Sequence, residues 1–166
     1  MQLTNTLIEL LKHRGITGET EIAEFLSSKP RRTYDPSLLA DAEAGVDFIL
    51  EQIKKDARIC IYGDYDADGI TATSLMLNVL SHLTAPERLG YYIPSRFEEG
   101  YGLNREAIRS ISERGYQAVI TVDCGSVSAE EVAYAKELGL AILVTDHHTI
   151  TDRMADCLLV NPKRPD

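Results

Sequence analysis

The sequence predicts an α/β fold: a doubly wound, mainly parallel five-stranded sheet with flanking helices, preceded by a small N-terminal helical segment. Three observations predict it. Apolar runs of strand length alternate with helix-compatible segments five times, and the connections between them are short. The acidic and histidine clusters fall just past the ends of apolar runs, which is where a parallel α/β sheet binds its ligands.

The elements follow in order. Leu3, Leu7, Leu10 and Leu11 recur at helical spacing, and His13-Arg14-Gly15 supplies a basic last turn and a helix-ending glycine. A second short helix starts near Gly18 or Glu19 with Ile22, Phe25 and Leu26 on one face. Ser27 to Arg32 is the only plausible linker, and His13, Arg31 and Arg32 are assigned to solvated surface. Residues 1–34 are therefore expected to be a helical segment and residues 35–166 the α/β domain. Asp35-Pro36 predicts a helix start, with the helix running to about Lys55 and turning Leu39, Val46, Ile49, Leu50 and Ile53 inward.

Ile59-Cys60-Ile61-Tyr62 is the first strand, and Ile70 to Leu83 the helix after it, with Ile70, Leu75, Met76, Leu77, Val79 and Leu80 as core and His82 as a structural histidine. Leu89 to Ile93 is the second strand. The loop Pro94 to Gly102 has two glycines and two aromatics, a composition common in ligand-contacting loops. Asn104 caps a helix ending at Gly115, and Ala118 to Val122 is the third strand. Ser128-Ala129-Glu130-Glu131 predicts a capping box, Gly139 ends that helix, and Leu140 to Val144 and Leu158 to Val160 are the last two strands.

The chemistry is concentrated in GDYDADG. Asp64, Asp66 and Asp68 follow a buried strand at alternate positions, and three neighbouring carboxylates resist burial unless a hard divalent cation neutralises them. The spacing also fits the opening of a calcium-binding EF-hand loop, but position twelve of that loop would be Leu75 and a strand precedes it where a helix is required. Asp123 closes the third strand, and Asp146, His147 and His148 follow the fourth. Aspartates with one or two histidines and no cysteine cluster suit Mn²⁺ or Mg²⁺, with Zn²⁺ less natural in so oxygen-rich a set. Two ions are expected, since such a pair clamps the attacking and leaving oxygens of a phosphoryl displacement. Asp123, alone at its strand end, is the economical bridge.

Composition limits the partners. The net charge of -9 argues against a general basic surface for nucleic acid, so local devices must hold an anionic substrate. Cys60, Cys124 and Cys157 form no CxxC pair or disulfide framework, which fits a reducing compartment; cytoplasm is the expected location. The first residues lack a basic start with a cleavable small-residue site, so no signal peptide is expected. No apolar run approaches membrane-spanning length, and no membrane partner is expected.

Asp-Tyr-Asp-Ala-Asp-Gly, Val-Asp-Cys-Gly and Thr-Asp-His-His, each after a strand, resemble the first three motifs of the DHH phosphoesterase superfamily. GDYDADGITAT together with PSRFEEGYGLN is similar to its RecJ branch of single-stranded-DNA-specific exonucleases. The resemblance implies Asp64 and Asp66 at a first metal, Asp68 and His147 at a second, Asp123 at both, His148 facing the scissile phosphate and Asp146 orienting the histidines. Arg96 is expected to contact a substrate phosphate, since a guanidinium fork suits phosphate oxygens in an otherwise acidic chain. Also implied are a single-stranded DNA substrate cut 5′-to-3′, a role in DNA repair and recombination, and a single-stranded-DNA-binding protein as partner. Other branches carry a histidine where this chain has Tyr62, and Ser126 stands where isoleucine is expected. The family's fourth motif has no counterpart, so the chain is expected to be the N-terminal part of a longer enzyme, weakly active alone. The competing functions are a DHH phosphodiesterase acting on a cyclic dinucleotide or short oligonucleotide, and a non-catalytic DHH scaffold in a replication assembly.

Overall fold

A computed structural model describes residues 3–29, 33–151 and 153–164. The chain forms two compact units, residues 1–35 and 36–166. In the first, α1 (Asn5–His13) is capped by Thr4, whose hydroxyl accepts from the Leu7 amide, and Leu11 is buried. Helix α2 (Glu19–Phe25) is tied at its start by Glu21, whose carboxylate accepts from the amides of Thr17 and Gly18. Phe25 is 56% exposed rather than inward, because a seven-residue helix has no second apolar turn with which to share a face. The expected Arg31-Arg32 surface pair lies outside the described residues.

The second unit is the expected parallel α/β sheet. Strands β1 (Ile59–Tyr62), β2 (Leu89–Tyr92), β3 (Ala118–Val122), β4 (Ala141–Thr145) and β5 (Leu158–Val160) lie in the order β2-β1-β3-β4-β5, all parallel. The period of two along a strand divides the core into two layers. Ile59 and Ile61 face the layer formed by α3 (Ala42–Lys54) and α4 (Ala67–Leu80), where Phe48, Ile49, Ile53, Ala72, Met76 and Leu80 pack. Cys60 and Tyr62 face α5 (Arg105–Glu113) and α6 (Ala129–Glu137) through Ile108, Ile111, Val132 and Ala135. The chain leaves β1 toward β2 and returns past it to β3, so a crevice opens between the carboxyl ends of β1 and β3.

Several element boundaries differ from the sequence expectation. Pro36–Leu38 is a single 3-10 turn, and α3 begins only at Ala42 after Asp41, which sits at φ 60. The Asp41 carboxylate is used elsewhere: it accepts from the Leu159 amide at 3.2 Å and the Arg164 guanidinium at 2.6 Å, fixing the strand at the sheet edge. Val46 and Leu50 of α3 and Ile70, Leu75 and Val79 of α4 are exposed, because each helix turns only one of its own faces to the sheet. Helix α4 starts three residues earlier than expected, with Asp66 as its cap, and His82 lies exposed beyond its end. Ser128 stands at the start of α6 but makes no side-chain cap bond, so the predicted capping box is not formed.

Candidate metal centre

Strand β1 delivers the first acids. Gly63 continues the pairing with β2, its amide donating to the Tyr92 carbonyl, and Asp64 follows, only 2% exposed. Asp66 Oδ1 accepts from the amides of Asp68 at 2.9 Å and Gly69 at 3.0 Å, which turns the chain into α4. The turn is tight: a Cβ on Gly69 would come within 2.4 Å of the Asp64 carbonyl oxygen and 2.5 Å of its nitrogen. Glycine is thus what lets the first turn of α4 touch the end of β1.

Strand β3 delivers Asp123 in a left-handed conformation, φ 62, uncommon for a residue with a Cβ although aspartate adopts it more readily than most. Strand β4 delivers Asp146, His147 and His148. Asp146 Oδ1 accepts from the amides of His147 at 2.6 Å and His148 at 3.0 Å and lies 2.8 Å from His148 Nδ1, while Oδ2 accepts from the Ser126 amide at 3.0 Å. Burial pushes Asp146 up, but the bonds from His148 and Ser126 outweigh it and hold the carboxyl below its ordinary pKa. Asp146 is therefore saturated and orients its neighbours.

The donor atoms of Asp64, Asp66 and Asp123 all lie within 4.8 Å of one another, and so do those of Asp123, His147 and His148. Asp123 belongs to both sets, with Oδ1 2.8 Å from His147 Nε2. Asp68 stands outside both sets and lines a neighbouring cavity of about 580 Å³ beside Asp123, Asp146 and His147, whose apolar wall includes Leu75, Met76 and Val122. These residues fit a hard divalent cation: Asp64 Oδ1 is buried with no hydrogen-bond partner. Burial raises the Asp64 pKa, opposed in part by the Tyr65 amide and increased by the Asp66 charge. Burial likewise raises Asp123, opposed by its bond to His147. Both carboxylates carry an uncompensated desolvation cost that a cation would remove.

Arg96 lies in the loop after β2, with its guanidinium over the Tyr65 ring at 5.3 Å and its charge acting on Asp64. Glu99, of the same loop, is bound by Tyr92, Ser95 and Asn104. Sequence reasoning missed Tyr101, whose Oη lies 3.0 Å from His148 Nδ1 with the two rings edge to face at 5.6 Å. It also missed the buried pair behind the histidines, where Asn161 Nδ2 donates to Ser126 Oγ at 2.7 Å and to the His148 carbonyl at 3.0 Å. Only the tyrosine had a signal in the sequence, its position between two glycines in a polar loop.

Comparison with known proteins gives concordant results. The DHH family, N-terminal domain, matches residues 58–166. The chain is 42% identical over 166 residues to the single-stranded-DNA-specific exonuclease RecJ of Bacillus subtilis, covering 99% of this chain and 21% of that protein. It is 36% identical to RecJ of Escherichia coli, covering 99% of this chain and 28% of that protein. The crystal structure of an exonuclease RecJ bound to manganese superposes with a TM-score of 0.72 at 33% identity, covering 81% of this chain and 34% of that one. RecJ in complex with Mn²⁺ from Thermus thermophilus superposes with a TM-score of 0.69 at 27% identity, covering 94% of this chain and 21% of that one. The chain thus spans between a fifth and a third of the length of these relatives.

Proposed function

The chain belongs to the DHH family, and on that footing we propose that it is the metal-binding part of a hydrolase that cleaves phosphodiester bonds of single-stranded DNA from the 5′ end, in DNA repair and recombination. The observation that carries the proposal is Asp123, shared by two sets of donor atoms on adjacent strand ends. Asp64, Asp66 and Asp123 would hold one Mn²⁺ or Mg²⁺ ion; Asp123 and His147 would hold a second, with Asp68 across the cavity. When bound, such ions supply positive charge against the phosphate and a water acidic enough to ionise at neutral pH.

The chain's own residues do the rest. Asp146 fixes the backbone of both histidines and orients the His148 ring toward the open side of the site, where His148 faces the scissile phosphate. Arg96, held over Tyr65, offers its guanidinium to a neighbouring phosphate. Tyr62 is buried with its hydroxyl committed to the Gly102 carbonyl at 2.9 Å, so it braces the substrate loop and leaves metal binding to the aspartates. A single-stranded-DNA-binding protein is the proposed partner and the cytoplasm the proposed location; no helix among the described residues is long and apolar enough to cross a membrane. The test is turnover of end-labelled single-stranded DNA by the full-length protein. Mn²⁺-dependent release of nucleotides from the 5′ end, abolished by chelator and by Asp123→Asn, is the expected result; a chelator-insensitive product, or none, would overturn the assignment.

A further inference from the structure

The loop joining β2 to α5 is closed by one side chain that the proposed chemistry does not use. Glu99 Oε1 accepts from Tyr92 Oη at 2.6 Å and from Asn104 Nδ2 at 3.0 Å, and Oε2 accepts from the Ser95 amide at 2.7 Å. The three donors belong to the end of β2, the start of the loop and the cap of α5. Burial pushes the Glu99 carboxyl up, but the bonds from Ser95, Tyr92 and Asn104 hold its pKa below the ordinary glutamate value, so it is charged at neutral pH. Both of its oxygens are engaged inside the loop.

What the carboxylate fixes is the residue two positions on. The chain turns at Gly100, φ 80, and Gly102, φ 82, where a Cβ would meet nothing within 4 Å; glycine is needed there for backbone hand and not for space. Tyr101, between them, is carried back over the site to place Oη 3.0 Å from His148 Nδ1. Glu99 holds the chain just before this turn, and Tyr62 Oη, donating to the Gly102 carbonyl at 2.9 Å, holds it just after. Asn104 joins the two anchors, since its amide also reaches Tyr62 Oη at 3.3 Å. Burial raises the Tyr101 phenol, with the Asp146 charge adding to it, so the hydroxyl beside the His148 ring stays neutral.

We infer that Glu99 is a positioning residue that acts through Tyr101 on His148. The inference rests on the hydrolase proposed above, and its length requirement is specific. Aspartate keeps the charge but is one methylene too short to span Tyr92, Ser95 and Asn104; glutamine keeps the span but offers one acceptor oxygen where the carboxylate offers two.

The experiment uses the full-length protein with Mn²⁺ and end-labelled single-stranded DNA. Glu99→Ala and Glu99→Asp should each lower kcat by about tenfold while KM changes by less than about threefold. Glu99→Gln, which keeps one of the two acceptor oxygens, should fall between Glu99→Ala and the unsubstituted protein, and Mn²⁺ affinity measured by calorimetry should match the unsubstituted protein in all three. Adding Tyr101→Phe to Glu99→Ala should cost nothing further, the signature of two residues acting in one chain of contacts. Unchanged kcat in Glu99→Ala, full activity in Glu99→Asp, or full additivity with Tyr101→Phe would each overturn the inference. If the unsubstituted protein hydrolyses nothing, the hydrolase assignment falls, and amide hydrogen exchange across residues 94–102 then decides the role of Glu99. Faster exchange in Glu99→Ala and Glu99→Asp than in Glu99→Gln supports the clamp, and equal exchange in all overturns it.

Discussion

Asp66 performs two tasks with one carboxylate, capping α4 through Oδ1 and standing within reach of Asp64 and Asp123. The tasks separate on substitution. Asp66→Asn keeps a cap acceptor, so metal-free stability should hold while Mn²⁺ stabilisation falls; Asp66→Ala should lose the cap as well, at a cost of about 1 kcal/mol read by urea denaturation without metal. For the unsubstituted chain, Mn²⁺ at about a hundredfold its dissociation constant should add about 2.7 kcal/mol, and Asp123→Asn should remove most of it in a thermal-shift assay. Superimposable melting curves with Mn²⁺ and with chelator would speak against the metal centre. The residues of this centre were legible because acids at strand ends violate the ordinary cost of burial and so announce themselves. Tyr101, Glu99 and Asn161 were not, since an ordinary polar residue acquires its task from partners that only the fold brings to it.

At the level of elements, the strands were legible to within a residue because each is a short apolar run, buried on both faces in the central β1, β3 and β4 and partly covered in the edge strands β2 and β5. Helix starts were less so. Asp35-Pro36 carries the local signal of a helix start, yet tertiary demand for the Asp41 carboxylate at β5 puts the break six residues later. The contact between α4 and β1 gives a sharp test. Alanine at position 69 gains about 1 kcal/mol of helix propensity, but its methyl would press on the Asp64 backbone, which cannot rotate away. Overpacking of this kind costs about 1–3 kcal/mol, so Gly69→Ala should lower the urea midpoint of the metal-free chain despite its better propensity. The β2–α5 loop should show its own pH signature. The folded-state pKa of Glu99 lies below the ordinary 4.5, so the unfolded chain takes up its proton first as pH falls. The stability advantage over Glu99→Gln should be present above pH 4.5 and vanish as pH drops through the folded value, as parallel denaturation series would show.

For the whole molecule, the decisive feature is the strand order β2-β1-β3-β4-β5, which brings Asp64, Asp123 and His147 to adjacent strand ends from segments more than twenty residues apart. The fold class was legible from the alternation of elements, whereas pairing order leaves no mark in any single segment. Because β1 pairs with β3 and β3 with β4, the ligand set exists only once three strands are in register. An incomplete sheet presents isolated carboxylates with ordinary, weak affinity for divalent ions. The order of events follows: the cation reaches a finished pocket and has little to offer the chain at its barrier. Saturating Mn²⁺, at about a hundredfold its dissociation constant, should slow unfolding by about a hundredfold and leave the refolding rate almost unchanged in stopped-flow traces. An ion that behaves in this way is a latch closed after assembly, and its loss would shorten the lifetime of the folded chain without making that chain any slower to form.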